Sequence, residues 1–135
     1  MATNLCDHPL VQHHLTILRD RTTNTRDFRL SCKGVSQVVI LEAAKLLNLD
    51  TLEVETPLET TVGARLSRGI VFVPILRAGL GMLEHAIDIL PNSSVGYIGM
   101  EREEATAEAS CYYAKMPELD SSNQVFVLDP MLATG

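Results

Sequence analysis

The strongest constraint on the fold is a short apolar segment at residues 70–75, Ile-Val-Phe-Val-Pro-Ile. A continuous run that is rich in β-branched residues predicts a strand covered on both faces, as in parallel sheets. Residues 76–81 contain two glycines and predict a turn, and residues 82–90 predict a helix that stops at Pro91. Further strands are predicted at 94–99 and 124–128. This order indicates an α/β fold with a parallel sheet.

The rest of the chain predicts flanking elements. Helices are predicted at 9–20 and 26–48, with Pro9 in a first turn and Gly34 weakening the middle of the second helix. Residues 51–58 alternate between apolar and polar side chains, which predicts a half-exposed strand that ends near Pro57 and pairs with residues 60–66. Residues 100–115 predict an excursion or hairpin.

Composition narrows the class of protein. The 135 residues suffice for one domain, and 46% hydrophobic with 21% charged residues excludes a disordered tail. A net charge of −6 and the absence of Trp argue against bulk binding to nucleic acid or anionic membranes. Three widely spaced cysteines, no signal-like start and no long apolar stretch predict a cytoplasmic protein with reduced thiols.

Three segments follow predicted strands, at the edge where ligands sit in open parallel sheets. Arg77 lies in the first, where small residues and a helix start favour binding of an anion such as a phosphate. In the second, residues 99–106, charge density predicts a mobile exposed loop from which Arg102 could reach a second anion. In the third, Asp129 is suited to accept hydrogen bonds from sugar hydroxyls, and Ala133, Thr134 and Gly135 could open a phosphate loop.

Each segment also has a structural interpretation. Arg77 could be a solvated arginine in an ordinary strand-to-helix turn, residues 99–106 a solvated charged turn, and Asp129-Pro130 a simple turn. Neither GxGxxG nor GxxxxGK[ST] is present, so dinucleotide and P-loop readings lose support.

Other clusters carry weaker signals. The histidines His8, His13 and His14 have no Cys or carboxylate at metal-ligand spacing, so a metal site is disfavoured. The glutamates Glu103, Glu104 and Glu108 are typical of a solvated charged loop. The tyrosines Tyr112 and Tyr113 are predicted to be packing residues. The sequence shows no Ser/His/Asp or Cys/His arrangement that would indicate nucleophilic catalysis.

Taken together, the motifs resemble those of the uracil phosphoribosyltransferase family nearly from end to end. The most diagnostic matches are Pro74-Ile75-Leu76-Arg77-Ala78-Gly79-Leu80 and Asp129-Pro130-Met131-Leu132-Ala133-Thr134-Gly135. Others are His8-Pro9-Leu10-Val11-Gln12-His13, Leu18-Arg19-Asp20-Arg21, Val54-Glu55-Thr56-Pro57-Leu58, Gly99-Met100-Glu101-Arg102 and Tyr112-Tyr113-Ala114-Lys115-Met116-Pro117.

The resemblance implies a type I phosphoribosyltransferase fold and the reaction of uracil with 5-phosphoribosyl 1-diphosphate (PRPP), giving UMP and diphosphate in pyrimidine salvage. It implies that Arg77 and Arg102 bind PRPP at its diphosphate, and that Asp129 faces the ribose hydroxyls. Ala133, Thr134 and Gly135 would begin the 5′-phosphate cradle. Pro130, Met131 and Leu132 belong to the same PRPP-binding segment. It also implies Mg²⁺ bound with PRPP, a homo-oligomer, and GTP as an effector of some members, with no side-chain nucleophile and no protein metal ligand.

The same resemblance predicts that this is the amino-terminal two-thirds of such a protein, a single partial domain over residues 1–135. The segment that grips uracil and half of the phosphate cradle are then missing, so we expect little transferase activity from these residues alone. Alternatives are a non-catalytic truncated paralogue or an interaction module that keeps dimer-forming amino-terminal helices. A different α/β nucleotide binder is disfavoured. The residue that follows Gly135 in the gene distinguishes the enzyme from the non-catalytic alternatives.

Overall fold

A computed structural model describes residues 6–67, 69–102 and 108–131. The strand Ile70–Leu76 is the central element of the fold. The helices are α1 (Pro9–Arg19), α2 (Thr25–Ala44) and α3 (Leu80–Ile89). The strands are β1 (Leu49–Glu55), β2 (Thr60–Leu66), β3 (Ile70–Leu76), β4 (Ser94–Val95), β5 (Tyr97–Arg102), β6 (Ala109–Lys115) and β7 (Gln124–Leu128). The predicted α/β class is therefore confirmed.

Strand β3 pairs in parallel with β4 and β5 on one side and with β7 on the other. The predicted strand at 94–99 is split into β4 and β5 at Gly96, whose N–H donates to the Phe72 carbonyl at 2.9 Å. Strand β6 is antiparallel to β5. A hairpin at residues 100–115 is thus confirmed, with residues 103–107 outside the described part of the chain.

The core lies between α2, α3 and one face of the sheet. Its buried members are Ile40, Ile70, Phe72, Leu83, Ala86 and Leu128. The Phe72 and Phe126 rings pack at 5.7 Å between centroids. Full burial of each large apolar side chain contributes about 1.5–3 kcal/mol, so this cluster fixes α3 against the sheet and with it the turn that precedes α3.

Helix boundaries follow from local hydrogen bonds. His8 caps α1 by accepting from the Leu10 N–H at 3.2 Å, and Asn24 caps α2 by accepting from the Asp27 N–H at 3.0 Å. The predicted extension of the second helix to residue 48 is wrong. Its end tightens instead, because the N–H groups of residues 45–47 donate to carbonyls only three residues back.

Gly34 does not interrupt α2, because the glycine serves helix packing. The His14 ring of α1 lies against it, so that a Cβ built on Gly34 would lie 2.8 Å from His14 Cε1. The His14 Nδ1 also lies 3.4 Å from the Ser31 hydroxyl. The missing side chain therefore lets α1 approach α2 closely, which offsets the helix-propensity cost of glycine.

The predicted pairing of residues 51–58 with 60–66 is confirmed, although the first strand lies at 49–55; β1 and β2 form an antiparallel hairpin in register from Leu49↔Leu66 to Glu55↔Thr60. Among the described elements, these strands contact only each other. No helix in the described part of the chain is long and apolar enough to span a bilayer.

Candidate functional site

Two of the sequence-predicted site residues lie at the ends of paired strands. Leu128, the last residue of β7, is in register with Pro74 of β3. Arg77 follows the end of β3 and Asp129 follows the end of β7. Because the strands are parallel, both residues lie at the same edge of the sheet.

The turn after β3 carries the guanidinium group. It closes when the Gly79 N–H donates to the Ile75 carbonyl at 2.8 Å, and α3 begins directly after it at Leu80. The Leu76–Arg77 peptide is cis. Arg77 is exposed in this turn, next to the positive end of the helix dipole of α3, so the local field favours an anion.

Gly79 is where this turn comes closest to β7. Its backbone dihedrals, φ −62° and ψ −18°, are ones that any residue adopts, so its role is steric. A Cβ on Gly79 would contact the Leu128 carbonyl oxygen, and would lie 2.7 Å from Ile75 N and 2.9 Å from Ile75 O. The absence of a side chain thus allows the Arg77 turn to lie directly against the residue that precedes Asp129.

Asp129 offers one carboxylate at the end of β7. Its Oδ1 accepts from the Met131 N–H at 3.3 Å, and Asp129, Pro130 and Met131 are all exposed. A carboxylate has about four acceptor positions, so capacity remains for hydroxyl donors. The predicted site residues Leu132, Ala133, Thr134 and Gly135 lie outside the described residues.

Arg102 lies at the same edge but farther out. The prediction of a loop at this position is wrong, because Glu101 and Arg102 pair with Ser110 and Ala109 as the end of β5. Gly99 is in register with Leu76. Arg102 follows Gly99 by three residues, which places its backbone about 10 Å beyond the end of β3.

A groove of about 1180 Å³ runs from Asp129, Pro130 and Met131 to α2 and the first turns of α3. Arg26, Arg29 and Lys33 of α2 line it. The sequence analysis missed this basic face, although the spacing of the three residues by three and four positions is a helical signal that could have revealed it. Glu84 also lines the groove, and most of the remaining lining is apolar, including Leu15, Phe28 and Val39, so basic, acidic and apolar side chains share this surface with Asp129.

The weaker sequence candidates that the structure describes have local roles. His8 is a helix cap, and no group of three or more metal-ligating side chains occurs among the residues that the structure describes. Tyr112 packs on Gly99, as predicted, but Tyr112 and Tyr113 remain 53% and 44% exposed. Glu108 is exposed, and Glu103 and Glu104 lie outside the described residues.

Cys32 lines the groove, and burial raises the pKa of its thiol. The thiolate is the reactive form, so we expect the folded chain to be alkylated by iodoacetamide at Cys32 more slowly than the urea-unfolded chain at pH 8. The measurement uses a Cys6→Ser/Cys111→Ser variant, in which Cys32 is the remaining cysteine. Equal rates in the folded and unfolded states would contradict the expected protection.

Comparisons with known proteins give a consistent result. The family model described as uracil phosphoribosyltransferase matches residues 5–135. Uracil phosphoribosyltransferase from Thermosipho africanus is 48% identical over an alignment of 136 positions that covers 100% of this chain and 65% of that protein. The protein of the same name from Streptomyces griseus is 46% identical over an alignment of 137 positions that covers 100% of this chain and 64% of that protein.

A solved structure of the AQ2163 protein from Aquifex aeolicus matches with a TM-score of 0.86 and 40% identity, and the match covers 99% of this chain and 64% of that one. The chain therefore spans slightly less than two-thirds of the length of the curated relatives named above, 65% and 64% respectively.

Proposed function

Because this chain belongs to the uracil phosphoribosyltransferase family, we propose that the whole protein transfers the phosphoribosyl group of PRPP to uracil, giving UMP and diphosphate in pyrimidine salvage. Residues 1–135 form one partial phosphoribosyltransferase domain that carries the PRPP side of the site. The observation that carries this proposal is the close packing of the Arg77 turn against the end of β7, where Asp129 follows.

Charge complementarity supports the assignment of the diphosphate to Arg77 and Arg102. Departure of diphosphate leaves cationic character on the sugar and negative charge on the leaving group. A guanidinium fork matches phosphate oxygens and stabilises the leaving group most when its charge is fully developed. Catalysis of this kind depends on positioning and charge and needs no side-chain nucleophile.

The ribose is assigned to Asp129, whose carboxylate retains acceptor capacity for two hydroxyl groups. Pro130 and Met131 line the same end of the groove. Leu132 continues the segment, and Ala133, Thr134 and Gly135 are assigned to the 5′-phosphate, since small residues and a hydroxyl suit a backbone cradle. Such an arrangement would hold the sugar from both ends.

Mg²⁺ enters this proposal as part of the substrate. Magnesium keeps several waters and is bound to a large extent through substrate phosphates. The diphosphate of PRPP would supply those oxygen ligands, so Asp129 is assigned to the ribose hydroxyls and no residue of this chain is assigned to the metal. The ion would therefore travel with the diphosphate.

Titration of the chain with PRPP tests the proposal. We expect saturable calorimetric binding of PRPP that requires Mg²⁺, and weaker binding of ribose 5-phosphate or diphosphate, since each fills only part of the site. An Asp129→Ala variant should lose affinity for PRPP while keeping its affinity for diphosphate. If PRPP gives no binding isotherm with Mg²⁺, the PRPP assignment falls and the interaction-module alternative gains support.

Regulation, assembly and location are proposed on narrower grounds. The basic face of α2, formed by Arg26, Arg29 and Lys33, supports GTP as an anionic effector.

A homo-oligomer is supported by the β1–β2 hairpin, in which Leu58 and Val62 are 96% and 71% exposed. An isolated two-stranded hairpin is marginally stable in water, so a partner subunit would stabilise it. Free thiols at all three cysteines support a cytoplasmic location.

A further inference from the structure

The hairpin of β5 and β6 contains a β-bulge beside the candidate site. Gly99 is in register with Tyr113, and the next residue of β5, Met100, is in register with Cys111. Tyr112 is therefore the extra residue on β6. Bulges bend the strand that carries them and redirect a side chain, and they are over-represented next to active sites.

The redirected Tyr112 side chain lies on Gly99. A Cβ built on Gly99 would lie 2.5 Å from Tyr112 Cζ, 2.6 Å from Cε2 and 3.0 Å from the phenol oxygen. Only glycine at this position lets the ring lie directly on the β5 backbone. Because Gly99 is in register with Leu76, the ring lies level with the end of β3.

The hairpin has few neighbours among the elements that the structure describes. Among the described elements, β6 contacts only β5, and β5 contacts only β6 and β3. The register of β5 with β3 ends at Leu76↔Gly99, so Met100, Glu101 and Arg102 project past it. A two-stranded ribbon is flexible when no other element covers it, so its direction depends on the contacts at its base.

A second contact of the same type anchors the start of the ribbon. Met116 lies against Gly96, where a Cβ would lie 2.5 Å from the sulfur and 2.9 Å from Cε. The Met116 contact is at Gly96, in the break between β4 and β5. The Tyr112 contact is at Gly99, which precedes Arg102 by three residues. The Tyr112 contact is therefore the one nearer to the projecting end.

We propose that Tyr112 is a positioning residue that acts through Arg102. Its ring, held on Gly99 by the bulge, sets the direction in which the ribbon carries the Arg102 guanidinium toward the diphosphate of PRPP. This inference rests on the proposed PRPP site. The two nearest atoms, Cζ and Cε2, belong to the ring and are kept in phenylalanine, so the contact does not require the phenol hydroxyl.

The first test is a double-mutant cycle on the affinity for PRPP with Mg²⁺, measured by calorimetry. Tyr112→Ala is expected to weaken binding at least about fivefold through misplacement of the guanidinium, whereas Tyr112→Phe is expected to stay within about twofold. Tyr113→Ala is the matched control, a neighbouring and similarly exposed ring. In an Arg102→Ala background, Tyr112→Ala should cause no further loss. The proposal would be overturned if the losses of affinity caused by Tyr112→Ala and Arg102→Ala were additive. Equal losses in Tyr112→Ala and Tyr113→Ala would also overturn it.

The second test does not depend on PRPP. Amide hydrogen exchange at Met100, Glu101 and Arg102 should become at least about tenfold faster in Tyr112→Ala and remain unchanged in Tyr112→Phe and Tyr113→Ala. Unchanged exchange in Tyr112→Ala would overturn this inference alone. Failure of the unsubstituted chain to bind PRPP, together with faster exchange in Tyr112→Ala, would overturn the proposed function and leave the control of the ribbon standing.

Discussion

Replacing Arg77 with alanine is expected to weaken PRPP binding or turnover at least about tenfold, and loss of a single oxyanion donor elsewhere costs about a hundredfold or more in rate. The reason is the position of the guanidinium, which lies in the turn between β3 and the positive end of α3. Without it, that edge keeps the helix dipole but loses the fixed charge that matches a diphosphate. Calorimetry with PRPP and Mg²⁺ gives the affinity, and steady-state kinetics of the full-length protein give the turnover.

Two further variants make the Arg77 result specific. Arg77→Lys keeps the charge but loses the bidentate fork, so an intermediate affinity is expected. Arg65→Ala removes another exposed arginine, from β2, whose hairpin contacts no other described element, and PRPP affinity should not change. Unchanged PRPP affinity and kinetics in Arg77→Ala would refute the assignment of this residue to the diphosphate.

Replacing Gly79 with alanine is expected to destabilise the fold by about 1–3 kcal/mol, the usual cost of an added methyl group in a closely packed place. The atoms that the new Cβ would meet, Leu128 O and the Ile75 N and O, all belong to the backbone, so no side chain can rotate away. Relief requires separation of the Arg77 turn from β7, and PRPP affinity should fall as well. Urea unfolding gives the stability, and the calorimetric titration gives the affinity.

Gly81 supplies the matched control two residues farther along the chain. A Cβ at Gly81 would meet nothing within 4 Å, and the residue lies inside α3. Gly81→Ala is therefore expected to stabilise the fold by up to about 1 kcal/mol through helix propensity. If the two alanine variants unfold at the same urea concentration, the close approach of the turn to β7 is not what Gly79 provides.

Periodicity and local chemistry were sufficient to predict most of the elements. The apolar run of β3 predicted its central position in a parallel sheet, and the Gly-containing turn after it predicted the start of α3 within two residues. These signals are local, because burial on both faces requires a continuous apolar run and a helix start requires free N–H groups. Arg77 and Asp129 were placed at one edge by the same reasoning, since parallel strands end together.

Two expectations were wrong in detail. The charged residues after Gly99 indicated a loop, but pairing with β6 makes Glu101 and Arg102 part of a strand. The second helix was predicted to reach residue 48, but α2 ends at Ala44. Gly34 lies inside α2, as predicted, and its contact with the His14 ring of α1 is one that no local pattern reveals.

The amino-acid sequence by itself determined the α/β class, the strand ends that precede Arg77 and Asp129, and a family resemblance that the comparisons confirmed. Only the tertiary structure decided how these ends are held: Gly79 against Leu128, the Tyr112 bulge on Gly99, and the basic face of α2 along the groove. The physical reason is that hydrophobic periodicity and turn chemistry act over a few residues. Close packing instead depends on atoms that are far apart in the sequence. A glycine or a redirected side chain decides whether those atoms can come into contact.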